Sequence, residues 1–91
     1  MNEPIRLRTT RLEWRDVEDG IVAVDLEASV YLSVNRAGTL LWPMLAEGAQ
    51  RHDLVARLAR EFGLEEDSAG RDVDTFLGTL RQRGLLEEPS Q

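Results

Sequence analysis

The sequence predicts an α+β, winged-helix-like domain in which an N-terminal three-stranded antiparallel meander precedes three helices. Before Asn35, apolar residues alternate with polar ones or form short β-branched runs between turn residues, a pattern typical of strands. After Asn35 they recur every three or four positions, as in amphipathic helices. Such helices would cover one face of the sheet, and we expect the other face to contact water.

The three strands are expected over 5–15, 21–26 and 29–34. The first is long or broken and alternates apolar with charged residues, while the other two are short apolar runs. Asp19 and Gly20 both tolerate positive φ, so they predict the turn into the second strand. Short connections of this kind join neighbouring antiparallel strands, which is why we expect a meander.

The three helices are expected over about 36–46, 50–62 and 66–83. Asn35 is a good N-cap for the first, because its side-chain oxygen can accept a free backbone N–H of the first turn. Pro43 lies inside that helix, where it removes a hydrogen bond, so we expect a kink or a split. A glycine that can end a helix follows each of the three: Gly48, Gly63 and Gly84.

Each predicted helix carries an apolar stripe that should pack into the core. The stripe residues are Ala37, Leu40, Leu41, Met44 and Leu45, then Leu54, Val55, Leu58, Ala59 and Phe62, then Ala69, Val73, Phe76, Leu77 and Leu80. Leu85 and Leu86 should return the chain to the core or to the sheet. Residues 1–4 and 88–91 are expected to be flexible ends of a single domain that spans 1–91.

Composition narrows the possible functions. The 91 residues carry a formal net charge of −6, which opposes non-specific binding to nucleic acid and suits a partner with basic residues. No apolar run approaches the roughly 20 residues of a membrane span, and the polar N-terminus lacks the apolar region of a signal peptide. We therefore expect a cytoplasmic protein with no nucleic-acid partner and no membrane partner.

The residues that usually carry catalysis are scarce. There is no cysteine, which excludes disulfides, thiolate metal sites and cysteine nucleophiles. His52 is the single histidine, so a zinc site is not expected, and the glycines are too dispersed for a phosphate-binding loop. The acidic run 65–67 stands at a predicted helix start, where carboxylates favour the helix dipole. We therefore expect no enzyme, no metal and no cofactor.

The run 29–34 is the candidate functional element. Its sequence, SVYLSV, contains no charge, proline or glycine, whereas the first strand carries charged residues such as Arg6 and Arg8. Soluble proteins usually protect an exposed sheet edge with charge, proline or a bulge. An unprotected third strand could receive an added strand from another polypeptide. Alternatively, Leu85 and Leu86 or a second copy of the chain could cover it.

The span from Gly20 to about Glu87 resembles the PqqD-like family of peptide-binding domains, also called RiPP precursor peptide recognition elements. The matching segments, in order, are DGIVAVD at 19–25, YLSVN at 31–35, Leu41-Trp42, the second-helix stripe, Asp72-Val73, Phe76-Leu77, Leu80 and Gly84-Leu85-Leu86. The sequence departs from the family pattern at four positions: Ser29, where a turn glycine is frequent, Pro43, and Gln50 and Glu65, where better capping residues are common.

The resemblance implies a domain that binds the leader segment of a ribosomally synthesised precursor peptide. In the family, the leader adds as an antiparallel strand to the third strand, in a groove walled by the third helix. Carried over, backbone pairing falls on Val30, Tyr31, Leu32, Ser33 and Val34, and the groove wall draws on Asp72, Val73, Phe76, Leu77 and Leu80. The free-standing size and acidic balance are similar to the lasso peptide member, which hands the precursor to a separate leader peptidase and cyclase. The acidic helix surface could favour a basic leader.

Three other functions stay open. One is a PqqD-type peptide chaperone for a radical SAM enzyme, and another is a small scaffold that pairs its open strand with a second copy. The third is a winged-helix DNA-binding domain, although the third helix balances three aspartates against three arginines between Asp67 and Arg83.

The strand pattern also predicts which side chains face the helices. Because neighbours along a strand point to opposite faces, Leu32 and Val34 should face the helices while Tyr31 points outward. We expect Val22 and Val24 of the preceding strand to lie beside Leu32 and Val34.

Overall fold

The computed structural model of the chain describes residues 3–87. Its elements, in chain order, are β1 Arg6–Leu7, β2 Leu12–Val17, β3 Gly20–Asp25, β4 Val30–Val34, α1 Arg36–Glu47, α2 Arg51–Phe62, α3 Glu66–Gln82 and β5 Leu86–Glu87. Three antiparallel strands, β2 to β4, precede three helices, which confirms the predicted α+β fold. The flexibility expected of 88–91 and of the first two residues concerns positions outside the described range.

The main sheet has the order β2-β3-β4, with both pairings antiparallel. Trp14, Ala23 and Leu32 lie in one row across it, because Ala23 is the register partner of both others. The central strand is β3, and β2 and β4 are the two edges.

The first predicted strand is broken, and its pieces join different sheets. Arg11, just before β2, has a φ of 56°, so the chain turns sharply between β1 and β2. β1 pairs antiparallel with β5, with Leu7 opposite Leu86, and Ile5 forms a bridge with Ala49. The C-terminal apolar pair is therefore used by β1 and the core, and it does not cover β4.

The prediction that Val22 and Val24 face the helices is wrong. The register places Ile21 opposite Val34 and Ala23 opposite Leu32, so these are the residues that share the helix-facing side. Ile21 and Ala23 are buried, while Val22 and Val24 are only half-buried on the outer face. The β3 run is apolar from Ile21 to Val24, so the alternation that would have fixed the phase of β3 against β4 is missing.

The helix boundaries follow the capping residues. Asn35 accepts the Gly38 backbone N–H at 2.8 Å, as expected of an N-cap. Gly63 ends α2 in a left-handed conformation with a φ of 65°. α1 continues through Pro43, so the expected split does not occur. Gln50 precedes α2 without a side-chain cap hydrogen bond, in line with its departure from the family pattern.

The core lies between the inner face of the sheet and the three helices. Its fully buried large side chains are Trp42, Leu7, Leu41, Leu45, Leu54, Leu58, Leu80, Leu85 and Val73. Trp14 packs edge-on against Trp42, with ring centroids 5.6 Å apart. Phe62 is 39% exposed, so the buried part of the α2 stripe stops before the last turn.

A part-buried ion pair joins the N-terminal segment to the turn before β4. The Arg8 guanidinium donates to Asp25 Oδ1 at 2.6 Å and to the Gly84 carbonyl at 2.9 Å. Asp25 Oδ1 also accepts the backbone N–H groups of Glu27 and Ala28. The hydrogen bond from Arg8 and these two backbone contacts hold the pKa of the Asp25 carboxyl below its usual range, against the opposing effect of burial.

Replacement of Asp25 by Asn should lower the free energy of unfolding at pH 7. The variant keeps an acceptor oxygen but loses the charge that Arg8 contacts. A carboxyl whose pKa is lower in the folded state than in the unfolded state stabilises the fold. This stabilisation is complete when the pH is above the unfolded-state pKa of about 3.9, and it is lost as the pH falls through the folded-state pKa. Urea denaturation across pH 2 to 7 should therefore show that the free energy of unfolding falls less steeply at acid pH for Asp25→Asn than for the unmodified chain.

Asp74→Asn is the matched control for this experiment. Asp74 also pairs with an arginine, Arg51, at 2.8 Å, but the two side chains are 59% and 52% exposed, so solvent screens the pair. If the fall in stability at low pH is unchanged in Asp25→Asn, or changed equally in both variants, a stabilising role for the Arg8–Asp25 pair is contradicted.

Candidate functional site: the groove beside β4

β4 has β3 on one side and no strand on the other within residues 3–87. The opposite edge, β2, carries Glu13, Arg15 and Asp16, whereas β4 contains no charged residue, proline or glycine. Charge is the common means by which soluble proteins prevent pairing at an edge. β4 is thus the one edge of the main sheet that lacks this protection.

The side chains of β4 alternate in exposure as a half-buried strand should. Val34 is buried and Leu32 is half-buried against the core, whereas Tyr31 is 74% exposed and Ser33 is also exposed. Val30, at the start of the strand, is on the helix-facing side by register but 41% exposed. The expected orientation of Leu32, Val34 and Tyr31 is confirmed.

α3 stands across a groove from β4. One part of this β4–α3 groove is a cavity of about 390 Å³ at the Val34 end of the strand. The strand and its cap contribute Leu32, Ser33, Val34 and Asn35, the other helices contribute Ala37, Gly38, Leu41 and Leu58, and α3 contributes Asp72, Thr75, Phe76, Thr79 and Leu80. A single ligand could therefore contact both the open backbone edge of β4 and the apolar floor of this cavity.

A second, smaller part of the groove lies at the Val30 end. This cavity of about 140 Å³ is lined by Leu12, Ala23, Asp25, Ala28, Val30, Leu32, Arg83 and Leu85. Leu32 lines both cavities, so the two adjoin at the middle of the strand, and we treat them together as the β4–α3 groove. From the Val34 end to the Val30 end, the helix side of the groove runs from Asp72 on α3 to Arg83, the residue that follows α3.

The residues expected to wall the groove fall into two groups. Asp72, Phe76 and Leu80 line it, whereas Val73 and Leu77 are buried in the core and line neither cavity. Sequence reasoning missed Thr75, Thr79 and Arg83, among others. These three lie at helical spacing from Asp72 and Phe76, so projecting that face onto a helical wheel would have found them.

Gly38 lets the floor of the groove pack tightly. A Cβ at this position would lie 2.6 Å from Val34 Cγ1 and 2.7 Å from Phe76 Cε1. The missing side chain therefore allows the first turn of α1 to approach both β4 and α3. Phe76 is half-buried against the core and lines the groove, so its position depends on this contact.

Comparison with known proteins identifies the family. The sequence profile of coenzyme PQQ synthesis protein D (PqqD) matches residues 20–86, from the start of β3 to the start of β5. The chain belongs to the PqqD family. No curated protein matches the sequence closely enough to extend this assignment.

Two solved structures share the fold of this PqqD-family chain. One is TbiB1 in complex with the TbiA(beta) leader peptide, with a TM-score of 0.83, 22% sequence identity, and coverage of 94% of this chain and 99% of that one. The other is a lasso peptide synthetase B1 complexed with the leader peptide, with a TM-score of 0.82, 24% identity, and coverage of 93% and 99%. At these identities the similarity establishes a common fold.

Ser29, in the turn before β4, has a left-handed backbone conformation. Ser29 has a φ of 58°, a conformation that glycine adopts at little cost and that strains most other residues. Asp25 accepts backbone N–H groups of the same turn, which helps to hold it. The turn therefore requires a left-handed residue at position 29, which glycine would supply with less strain than serine.

No helix within residues 3–87 is long and apolar enough to cross a membrane. The same residues contain no group of three or more His, Cys, Asp or Glu side chains arranged to hold a metal ion.

Replacement of Gly38 by Ala should lower stability by about 1 kcal/mol. The added methyl group forces Val34 or the Phe76 ring to move, and overpacking of this kind costs about 1–3 kcal/mol. The gain from removing a helical glycine, about 0.5–1 kcal/mol, offsets only part of this cost. Urea unfolding measures the difference, and the NMR shifts of the Phe76 ring should change.

Gly78→Ala provides the matched control in α3. A Cβ at Gly78 meets no atom within 4 Å, so this variant should be more stable by about 0.5–1 kcal/mol. Equal stabilisation by both substitutions would show that the close approach at Gly38 is unimportant.

Proposed function

We propose that this chain binds the leader segment of a ribosomally synthesised precursor peptide by strand addition to β4, in the β4–α3 groove. The observation that carries the proposal is the combination of an uncharged open edge with an adjoining apolar groove. The family assignment and the shared fold of the two leader-peptide complexes support it.

Backbone pairing would supply most of the affinity. Along 30–34, backbone N–H and C=O groups that point away from β3 are free to pair with an added strand. Such pairing depends little on the sequence of the ligand. A leader that is disordered when free loses conformational entropy on binding, which argues for moderate affinity and for release to a later enzyme.

The groove would supply the sequence preference. Every second side chain of an added strand points to the same face, with alternate residues about 6.6 Å apart. Those on the inner side would reach the two cavities on either side of Leu32, whose floors are formed by apolar residues. We therefore propose a leader with apolar residues at even spacing.

In this proposal the domain is not an enzyme, and it presents the leader to separate maturation enzymes in the cytoplasm, where ribosomal precursors are made. The favoured partners are the leader peptidase and cyclase of lasso peptide biosynthesis, since both solved neighbours are bound to leader peptides and one is a lasso peptide synthetase B1. A PqqD-type chaperone for a radical SAM enzyme is the second candidate, favoured by the family description.

A proline scan of β4 tests strand addition. Neighbouring residues of a strand direct their N–H groups to opposite sides, so of Leu32 and Ser33 one donates to β3 and the other to the open edge. Of the two single variants Leu32→Pro and Ser33→Pro, one therefore removes an N–H from the β3 ladder and the other removes an N–H from the open edge. We expect the variant that keeps the β3 ladder to fold and to lose detectable binding of the leader encoded beside the gene.

Asp16→Pro is the matched control, because it places proline in the other edge strand, β2, at a residue whose backbone N–H points away from β3. It should leave leader binding within about twofold if it folds, as judged by circular dichroism. Leader affinity is measured by fluorescence anisotropy. If both β4 proline variants show native circular dichroism and bind the leader with full affinity, pairing along β4 is ruled out.

A further inference from the structure

The β4–α3 groove holds two charged side chains that the fold leaves unused. Three charged residues line its cavities: Asp25, Asp72 and Arg83. Asp25 is neutralised by Arg8 at 2.6 Å. Within residues 3–87, neither Asp72 nor Arg83 forms a side-chain hydrogen bond or an ion pair, and both are exposed. These two charges are therefore available to a ligand.

Asp72 lies on α3 and Arg83 directly follows its last residue, in line with the same helix face, so the two lie at opposite ends of the groove. They are eleven positions apart, which is about three helical turns and a rise of roughly 16 Å. Asp72 lines the cavity at the Val34 end, and Arg83 lines the cavity at the Val30 end. The five residues of β4 span a similar length, roughly 13–17 Å. The two charges thus flank the open edge.

Other charges near the groove do not cancel this arrangement. Glu27, close to the Val30 end, lies 3.7 Å from Arg8 and lines neither cavity. Arg36, just after β4, lines a different cleft together with Asp16 and Asp19. Between Asp72 and Arg83 the α3 side of the groove carries only uncharged residues.

We propose that the β4–α3 groove is electrically polarised and reads the direction of its peptide. The inference rests on the proposed strand addition. A strand antiparallel to β4 runs from the Val34 end to the Val30 end, so it passes Asp72 first and Arg83 afterwards. The preferred ligand then has a basic residue followed, four to six positions later, by an acidic one, at roughly 3.3 Å per residue. The leader is selected for charge order and not for basic character alone.

The same two charges disfavour the wrong direction. A peptide bound parallel to β4 with this charge order would place its cation beside Arg83 and its anion beside Asp72, and like charges in contact reduce affinity. Backbone pairing alone allows either direction, since parallel and antiparallel ladders both form. Asp72 and Arg83 would therefore act as specificity-determining residues.

Two peptides of identical composition test this inference. Both are synthetic versions of the leader encoded beside the gene, one with Lys four residues before Glu and the other with the two exchanged, and the pair is moved stepwise along the sequence. At the best position and low salt, the Lys-first peptide should bind about fivefold to tenfold more tightly, because exposed ion pairs each contribute only a few-fold. In 0.5 M NaCl the ratio should fall below about twofold.

The double variant Asp72→Arg/Arg83→Asp keeps the net charge and should reverse the preference. Asp67→Arg/Arg71→Asp makes the same exchange on the α2-facing side of α3, where both residues line a different cleft. This control should keep the preference for the Lys-first peptide. Circular dichroism and thermal unfolding establish that each variant is folded.

The outcomes separate this inference from the proposed function. If the unmodified chain binds both peptides equally at every position, the polarity is wrong while strand addition stands. If it binds neither peptide nor the natural leader, the proposed function itself fails. If both double variants change the preference alike, the effect comes from the overall field of α3, and the assignment to Asp72 and Arg83 is overturned.

Discussion

The structure depends on one constraint, which is that the backbone groups along the outer side of β4 find no partner within the described chain. Unpaired strand edges normally carry charge or proline, and β4 has neither. The fold offers a strand that could have covered it, but β5 pairs with β1. α3 lies opposite the edge and leaves a groove between them. These features make sense if the edge is kept open for another polypeptide.

Both ends of β4 are fixed by hydrogen bonds. At its start, Asp25 holds the turn through two backbone N–H groups and is itself held by Arg8. At its end, Asn35 caps α1 immediately after the strand. A pre-formed edge of this kind loses little conformational freedom when a peptide pairs with it, so most of the ordering cost falls on the peptide. Stability and recognition are thus linked through residues that lie just outside β4 itself.

The order of the elements and the helix ends were predictable from the sequence because Asn35 and the helix-ending glycines act locally. The open edge was predictable because the charge contrast between β2 and β4 is visible in composition. The phase of β3 was not, since a run that is apolar throughout lacks alternation. Nor was the Arg8–Asp25 pair, which joins residues 17 positions apart and is decided by tertiary packing. The polarity of the groove required knowing which end of α3 lies beside Val34.

Backbone N-methylation of the bound peptide tests the central claim most directly. Each residue of the leader encoded beside the gene would be N-methylated in turn, and the affinity for the unmodified chain measured by fluorescence anisotropy. Strand addition to β4 predicts losses of about tenfold at alternate residues over a stretch of about five, because every second N–H donates to the edge and its loss leaves an acceptor unpaired. Losses without this two-residue period, or no losses at all, would contradict it.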